Sequence, residues 1–257
     1  MPRRLKHILI FIGAMFLLIF LTLSAAVGIL YWKGFFTLPD FSKLEDRHAT
    51  SILYDQNGEP IAEYCEFCRE LIPLSAMGHF PQIAIAVEDQ RFETRLLPYD
   101  LFSLARAAWC YFRTGKSCGG ASTLSMQLAR NTFLQPELKR QWTTKDPAEK
   151  KRIIWSRKLQ EAWMAALLEY YLGRKNRWRV LEHYLNTANC GENFYGIKTC
   201  SKLFFSGKDP QEISIPDAAW IVSLWRSPRY GSLKEKDHDE ALKLRNRVLH
   251  RLAAAGF

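Results

Sequence analysis

Residues 8–32 form one apolar run without a charged side chain, and no other segment restricts the possible folds so strongly. As an α-helix the run would extend about 37 Å at about 1.5 Å per residue, enough to cross the hydrocarbon layer of a bilayer. Three basic residues precede it, Arg3, Arg4 and Lys6, and the first acidic residue is Asp40. Because basic flanks stay on the cytoplasmic side, we predict a cytoplasmic tail (1–7), a transmembrane anchor (8–32) and an exported remainder.

A cleaved signal peptide is the competing interpretation, since Ser24-Ala25-Ala26 resembles a small-residue processing site. The apolar part of a signal peptide usually has about 7 to 15 residues. Here the run is longer and ends with Tyr31 and Trp32, which are typical of a membrane interface. We therefore favour an anchor, and under either interpretation the body of the protein is exported.

The six cysteines fit an exported chain, because thiols outside the cytoplasm tend to oxidise to disulfides. Cys65 and Cys68 are close enough for a local bridge, a redox pair or half of a metal site. We favour a structural bridge or a local ligand, since no βαβ pattern surrounds them. Two further pairs close short loops and are predicted to be disulfides: Cys110 with Cys118, and Cys190 with Cys200.

The chain is basic, with a formal net charge of +10. Four of these charges precede Asp40, on Arg3, Arg4, Lys6 and Lys33, so +6 remains for the rest. A basic exported domain on an anchor attracts anionic lipid head groups and phosphates, although ordinary solubilising charge would look the same. An exported chain rarely meets nucleic acid, and we predict no nucleic-acid partner.

The sequence beyond a linker (33–49) predicts a mainly α domain (50–257) that begins with a β-hairpin. Residues 51–64 have the pattern of two short strands around Asn57-Gly58, a strong hairpin signal. No other segment gives a clear β signal. Helical periodicity predicts helices over residues 83–92, 101–113, 122–134, 148–172, 174–187, 195–205, 215–224 and 239–255.

The stretch from Gly119 to Gln127 combines a permissive turn with a helix start that carries small polar side chains. Ser122 is a good N-cap candidate, and Gly119-Gly120 would let an anionic ligand approach the main chain. At helical spacing, Thr123, Gln127 and Arg130 would share one face. A capped helix after a Gly-rich turn is also common as plain structure, so the stretch is informative only together with other motifs.

Four further motifs flank this stretch in a recognisable order. Glu88-Asp89-Gln90-Arg91-Phe92 lies upstream, and three follow downstream: Arg157-Lys158-Leu159-Gln160-Glu161, Leu181-Glu182-His183-Tyr184-Leu185-Asn186 with Tyr195-Gly196-Ile197, and the segment 218–224. The series resembles the peptidoglycan glycosyltransferase family (glycosyltransferase family 51) of monofunctional transglycosylases and class A penicillin-binding proteins. The resemblance covers residues 50–257 and implies a lysozyme-like, α-rich fold.

The resemblance implies that Glu88 is the catalytic glutamate that deprotonates the hydroxyl of the acceptor sugar. Glu88 ends the apolar stretch 83–87, and Asp89 and Phe92 accompany it in the motif. Without the resemblance, a Glu-Asp pair at a helix end would be taken for a solvated surface pair. Carboxylates in unlike environments can divide the proton transfers of one reaction.

Glu161 matches the second glutamate of the family, which is thought to act near the leaving pyrophosphate. It lies one helical turn beyond Arg157 and Lys158, which would steady the diphosphate charge; a surface ion pair is the plain alternative. Arg130 and Gln127 match donor-site positions. We thus predict catalytic roles for Glu88 and Glu161, and substrate-binding roles for Asp89, Phe92, Ser122, Thr123, Gln127, Arg130, Arg157 and Lys158.

Some residues depart from the family pattern. Arg95 stands where many relatives have histidine, Met126 where they have glutamine and Gln160 where they often have lysine. Residues 135–149 form an insertion, which we expect to be a solvated loop; the alternative is that apolar and basic residues between Trp142 and Trp155 dip into the membrane interface. Asn186 is expected to brace the fold rather than bind a ligand.

The resemblance implies a membrane-anchored, inverting glycosyltransferase in the bacterial inner membrane, single-pass, with its catalytic domain on the periplasmic side. It would polymerise lipid II and release undecaprenyl pyrophosphate. Its partners would be lipid II, the growing glycan chain and the membrane.

No cofactor is certain; a divalent cation, Mg²⁺ or Mn²⁺, could assist the pyrophosphate, but no dedicated metal ligands are visible. The sequence contains no Ser-x-x-Lys motif, so no transpeptidase domain is expected. A lysozyme-like glycan hydrolase and a weakly active subunit of a cell-envelope assembly are the alternatives.

Overall fold

The computed structural model describes residues 3–32, 34–45, 51–64, 68–115, 120–173, 176–191, 194–225 and 238–257. Within these ranges the chain is mainly helical. The α-helices are α1 (Arg3–Trp32), α2 (Phe80–Glu88), α3 (Leu101–Thr114), α4 (Leu124–Phe133), α5 (Gln135–Thr143), α6 (Pro147–Leu172), α7 (Arg177–Thr187), α8 (Ile197–Phe204), α9 (Ile215–Leu224) and α10 (His238–Ala254).

Within the described residues, five short strands form two separate sheets. The predicted hairpin is confirmed: β1 (Ser51–Tyr54) pairs antiparallel with β2 (Pro60–Tyr64) around the Asn57-Gly58 turn. In the second sheet β5 (Phe194–Tyr195) lies between β3 (Cys68–Arg69), which is parallel to it, and β4 (Asn189–Gly191), which is antiparallel. This second sheet was not predicted, because strands of two or three residues are too short to show periodicity.

Capping side chains explain the boundaries of several helices. The carboxylate of Asp100 accepts from the amide of Ser103 at the start of α3, and α3 ends at Gly115 with φ of 66°. Asp146 accepts from the amides of Ala148 and Glu149, and Pro147 occupies the first turn of α6. The loop predicted for residues 135–149 was therefore wrong. It contains α5, and Asp146 marks the start of a new helix.

The core lies between α2, α4, α6, α7, α8 and α9, with α10 packed along its edge. Its largest fully buried apolar side chains include Phe80, Ile83, Leu128, Leu168, Leu181 and Leu185. Asn186 is buried beside this core, where its side-chain amide accepts from the amide of Ile72 (3.1 Å) and donates to the carbonyl of Ile72 (2.9 Å). The expected bracing role of Asn186 is confirmed.

Gly196 explains why the motif that ends at Asn186 and the motif Tyr195-Gly196-Ile197 occur together. Its φ is 81°, and a Cβ placed on it would lie 2.8 Å from the carbonyl oxygen of Asn186. Only glycine fits this approach without displacing the backbone. The contact fixes the start of α8 against the end of α7.

The N-terminal helix α1 includes one span, Ile10–Trp32, that is long and apolar enough to cross a membrane, and none of this span is buried inside the protein. The segment that follows packs on the body. Phe36 contacts the ring of Trp163 edge-on at 4.9 Å, and the ring of Phe41 stacks on Tyr171 at 4.0 Å. Leu44 is buried in the core.

A disulfide joins Cys190 of β4 to Cys200 of α8, as predicted. Cys110 on α3 is also disulfide-bonded. Its expected partner Cys118, and Cys65 of the other expected pair, lie outside the described residues.

Candidate active site

One large cavity of about 920 Å³ opens between α2, α4, α5 and α6, with contributions from α3, α7 and α10. Seven of the ten predicted site residues line it: Glu88, Asp89, Ser122, Thr123, Gln127, Arg130 and Arg157. The carboxylate of Glu88 and the guanidinium groups of Arg130 and Arg157 therefore share one space. That arrangement is what a reaction with one proton acceptor and one anionic group requires.

Glu88 is the last residue of α2 and is partly buried. Its Oε2 accepts from Nε2 of Gln127 at 2.9 Å. The other end of that amide, Oε1 of Gln127, accepts from the hydroxyl of Tyr184 (3.3 Å) and from Arg130 (3.5 Å). Gln127 thus fixes Glu88 and connects it to the cationic side of the cavity.

A buried charge network supports the turn behind Glu88. Oδ2 of Asp89 accepts from Nε of Arg95 (3.2 Å) and from the amide of Leu124 (3.1 Å). Arg95 also donates to the carbonyl of Leu97 (2.6 Å), to Oγ of Ser125 (3.0 Å) and to Oε1 of Glu169 (2.7 Å). Burial raises the pKa of Asp89, and the charge of Arg95 opposes that shift. Arg95 therefore connects the Glu88 turn to both α4 and α6.

The start of α4 differs from the prediction. Thr123, not Ser122, is the N-cap, and its Oγ1 accepts from the amide of Met126 and donates to the carbonyl of Pro98. At this helix start the carboxylate of Asp89 accepts from the amide of Leu124. Ser122 instead faces α6, where its Oγ accepts from Nζ of Lys158 at 2.8 Å. Gly119 lies outside the described residues, and Gly120 lines the cavity.

Glu161 forms ion pairs with two basic residues that precede it by one turn of α6. Its Oε1 pairs with Arg157, and its Oε2 pairs with Nζ of Lys158 at 2.7 Å. The side chain of Glu161 is 0% exposed, whereas that of Lys158 is 34% exposed. Burial, together with the charges of Arg130 and Arg157, lowers the pKa of Lys158 to about 8. Burial, with the charge of Arg130, also lowers the pKa of Arg157.

Three predicted site residues do not line the cavity. Phe92 is 1% exposed and packs in the core, with its ring 5.8 Å from that of Trp178, so it shapes the turn after Glu88 without reaching the cavity. Glu161 lies beneath Arg157 and Lys158, and Lys158 reaches the cavity wall through Ser122. Sequence spacing alone does not distinguish a helix face that points to a cavity from one that points to the core.

Several cavity residues were not predicted from the sequence. Arg251 on α10 lies beside α2, where it donates to the carbonyl of Val87 (3.3 Å), and Gln141 on α5 accepts from Nε of Arg157 (3.0 Å). Arg91 pairs with Asp100 at 2.7 Å on the wall formed with α3. The sequence predicted that Arg251 lies on a helix, α10, but it gave no signal that this side chain would contact α2.

Among the described residues, the cavity shows no ready-made set of metal ligands. The described part of the chain has no cluster of three or more His, Cys, Asp or Glu side chains suited to one. Asp89 and Asp100 line the cavity, but each is bonded to an arginine.

Comparison with known proteins agrees with this geometry. The profile of the family described as "Transglycosylase" matches residues 57–253. The chain is 31% identical to penicillin-binding protein 1A of Escherichia coli (strain K12) over 86% of this chain and 24% of the relative. It is 32% identical to the biosynthetic peptidoglycan transglycosylase of Pseudomonas entomophila (strain L48) over 67% of this chain and 63% of that protein.

The chain thus has a helical body in which a glutamate and two arginines line one cavity. Since the family profile covers most of the chain, this protein belongs to the transglycosylase family. The chain spans about a quarter of the length of the penicillin-binding protein 1A relatives that it matches.

Proposed function

We propose that this protein is a membrane-anchored peptidoglycan glycosyltransferase that joins lipid II units into β-1,4-linked glycan strands. The observation that carries the proposal is the shared cavity of Glu88, Arg130 and Arg157. The names of the relatives support the choice of peptidoglycan as product.

In the proposed reaction Glu88 takes the proton of the 4-hydroxyl of the acceptor sugar. The hydroxyl oxygen forms a bond to the anomeric carbon of the donor, and the bond from that carbon to the diphosphate oxygen breaks with inversion. The bonding electrons leave with undecaprenyl pyrophosphate. Gln127 orients Glu88 through the 2.9 Å bond, which makes the carboxylate a fixed proton acceptor.

Arg157, Arg130 and Lys158 are proposed to stabilise the charge that develops on the leaving diphosphate. Prepositioned cations act strongly at such a site because they need no reorganisation during the reaction. Glu161 has no exposed surface, so we assign it a positioning role: it holds Arg157 and Lys158 in place and cancels part of their charge. This cationic group favours transfer from a diphosphate over hydrolysis of a glycan.

The proposed location is the inner membrane, with the body on the periplasmic side. The apolar span Ile10–Trp32 and the basic residues before it support the anchor and its orientation. Helix α3 adds an exposed apolar surface that comprises Leu101, Phe102, Leu104, Trp109, Tyr111 and Phe112. Such a surface, with Arg106 and Arg113 on the same helix, suits a lipid interface.

The decisive experiment incubates the purified full chain with lipid II and resolves the products by size. Long glycan strands are expected. Glu88→Gln should lower the rate about a hundredfold or more, the usual contribution of a general base. Glu93→Gln is the matched control, because Glu93 is exposed and does not line the cavity. Shortening of mature glycan would indicate a hydrolase, and neither reaction would indicate an assembly subunit; a fully active Glu88→Gln enzyme would remove Glu88 as the base.

A further inference from the structure

Helix α5 forms one wall of the cavity, although it lies in the segment expected to be a loop. It follows α4 after the buried Leu134, and its residues Leu138, Gln141 and Trp142 line the cavity. A surface ion pair between Arg140 and Glu149 (3.0 Å) links α5 to the first turn of α6. The helix is therefore part of the site and not a solvated connection.

The contact between α5 and the cationic group is made by Gln141. Its Oε1 accepts from Nε of Arg157 at 3.0 Å, while Glu161 pairs with another nitrogen of the same guanidinium. The guanidinium of Arg157 is thus held from two elements, α5 and the next turn of α6. A planar group with two fixed edges has little freedom to rotate away from the cavity.

The two acceptors differ in charge, and the difference matters for an anionic ligand. Glu161 neutralises part of the positive charge of Arg157 and Lys158, whereas the amide of Gln141 orients Arg157 without cancelling any of it. A carboxylate at position 141 would place Arg157 between two anions and would repel a diphosphate. A neutral acceptor is therefore the side chain that both orients the cation and leaves it available.

We propose that Gln141 is a positioning residue that aims the guanidinium of Arg157 at a diphosphate in the cavity, and that α5 is the element that delivers it. The inference rests on the proposed function for the identity of the substrate, since it takes the diphosphate of the lipid-linked donor as the ligand.

Binding of inorganic pyrophosphate to the full chain in detergent, measured by calorimetry, tests the role of Gln141 separately from turnover. Gln141→Leu should weaken binding about tenfold, the effect of losing one charge-assisted hydrogen bond. Gln141→Glu should weaken binding at least as much, although it can still accept from Arg157. Arg140→Ala, which removes the neighbouring surface ion pair on α5, is the control and should stay within about twofold.

A double-mutant cycle with Arg157→Gln separates positioning from a general loss of structure. If Gln141 acts through Arg157, Gln141→Leu should cause no further loss of pyrophosphate affinity in the Arg157→Gln background, and kcat/KM with lipid II should follow the same pattern. An equal loss in both backgrounds would overturn the inference, because it would mean that Gln141 acts through folding alone.

The remaining outcomes separate the inference from the proposed function. Weaker binding in Arg157→Gln with unchanged binding in Gln141→Leu would overturn the inference and leave the role of Arg157 standing. Unchanged binding and turnover in Arg157→Gln would overturn both assignments, because a residue that does not touch the diphosphate needs no positioning for it.

Discussion

Lys158 occupies a position where a change of pH alters the charge of the site. Its ammonium contacts Glu161 and Ser122 on one side, and the guanidinium groups of Arg130 and Arg157 act on it through space. Burial first, and then these two arginine charges, lower its pKa to about 8. Lys158 is therefore charged below pH 8 and becomes neutral above it.

We predict that kcat/KM for lipid II falls about fivefold as the pH rises from 7 to 9.5, since one partly exposed cation facing an anion is worth about 1 kcal/mol. In Lys158→Arg the charge persists over this range, so the fall should disappear. The measurement is a pH profile of polymerisation for both proteins. A profile that is identical in the two would assign the titration to another group.

Helical spacing alone predicted which residues share a face within one helix, such as Gln127 and Arg130 on α4. The resemblance to a family, and not helical spacing, predicted that Glu88 and Arg157, on α2 and α6, lie near them, and all four residues line one cavity. The sequence could not predict the burial of Glu161, since either face of α6 could have turned to the core. Arg95 was visible only as a departure from a pattern, and its four hydrogen-bond partners come from tertiary packing.

Among the helices, α3 has an exposed apolar surface. Of its residues only Ser103 is buried, and the side chains of Trp109 (63% exposed) and Phe112 (84% exposed) lie side by side with ring centroids 6.5 Å apart. Isolated exposed apolar residues are common, but a continuous aromatic surface marks an interaction site.

We predict that the double variant Trp109→Ser with Phe112→Ser polymerises lipid II normally in detergent but at least about tenfold more slowly in phospholipid vesicles. The reason is that each aromatic side chain is worth about 1.5 to 3 kcal/mol when it is transferred from water to an apolar phase. Tyr170→Ser, which removes an exposed aromatic residue from α6, should behave like the wild type in both. An equal loss in detergent and in vesicles would place the effect in folding or chemistry.

Helix α5 was not predicted, because its local sequence does not indicate a helix. Pro136 and the Thr143-Thr144 pair in residues 135–144 have the composition of a connection, and the helix forms because it packs against α4 and α6. Longer helices such as α6 were predicted to within one residue at their start, since their periodicity and the cap at Asp146 agree.

At the scale of the whole molecule, the segment 34–45 joins the apolar helix to the body as a packed strap. Phe41 stacks on Tyr171 of α6 and meets Phe133 of α4 edge-on at 6.0 Å, so one side chain touches both helices that carry the cationic group. Nε1 of Trp163 donates to the carbonyl of Thr37 (3.3 Å). The body and the span are therefore connected by ordered contacts over the described part of this segment.

We predict that Phe41→Ala lowers the free energy of unfolding by about 2 kcal/mol through the loss of these aromatic contacts. For a body of this size that corresponds to a fall in Tm of about 4 to 8 °C. Thermal melting of the full chain, followed by circular dichroism, provides the measurement. Leu38→Ala is the matched control, because Leu38 is in the same segment but largely exposed. Equal melting temperatures for wild type and Phe41→Ala would mean that the strap adds nothing to the body.

The fold class was predictable from periodicity and from the apolar span, because each depends on local sequence alone. The second sheet was not predictable: β3 and β5 are more than a hundred residues apart and pair over two residues. The pairing of segments that lie far apart in the sequence depends on tertiary packing.

The bond between Cys190 and Cys200 has a consequence for how the protein is made. Both cysteines are fully buried, and disulfides rarely form in the reducing interior of a cell. We therefore predict that this bond forms only after the newly made chain has reached an oxidising compartment. To obtain the disulfide-bonded protein, the chain should be expressed with export to an oxidising compartment and not in the cytosol.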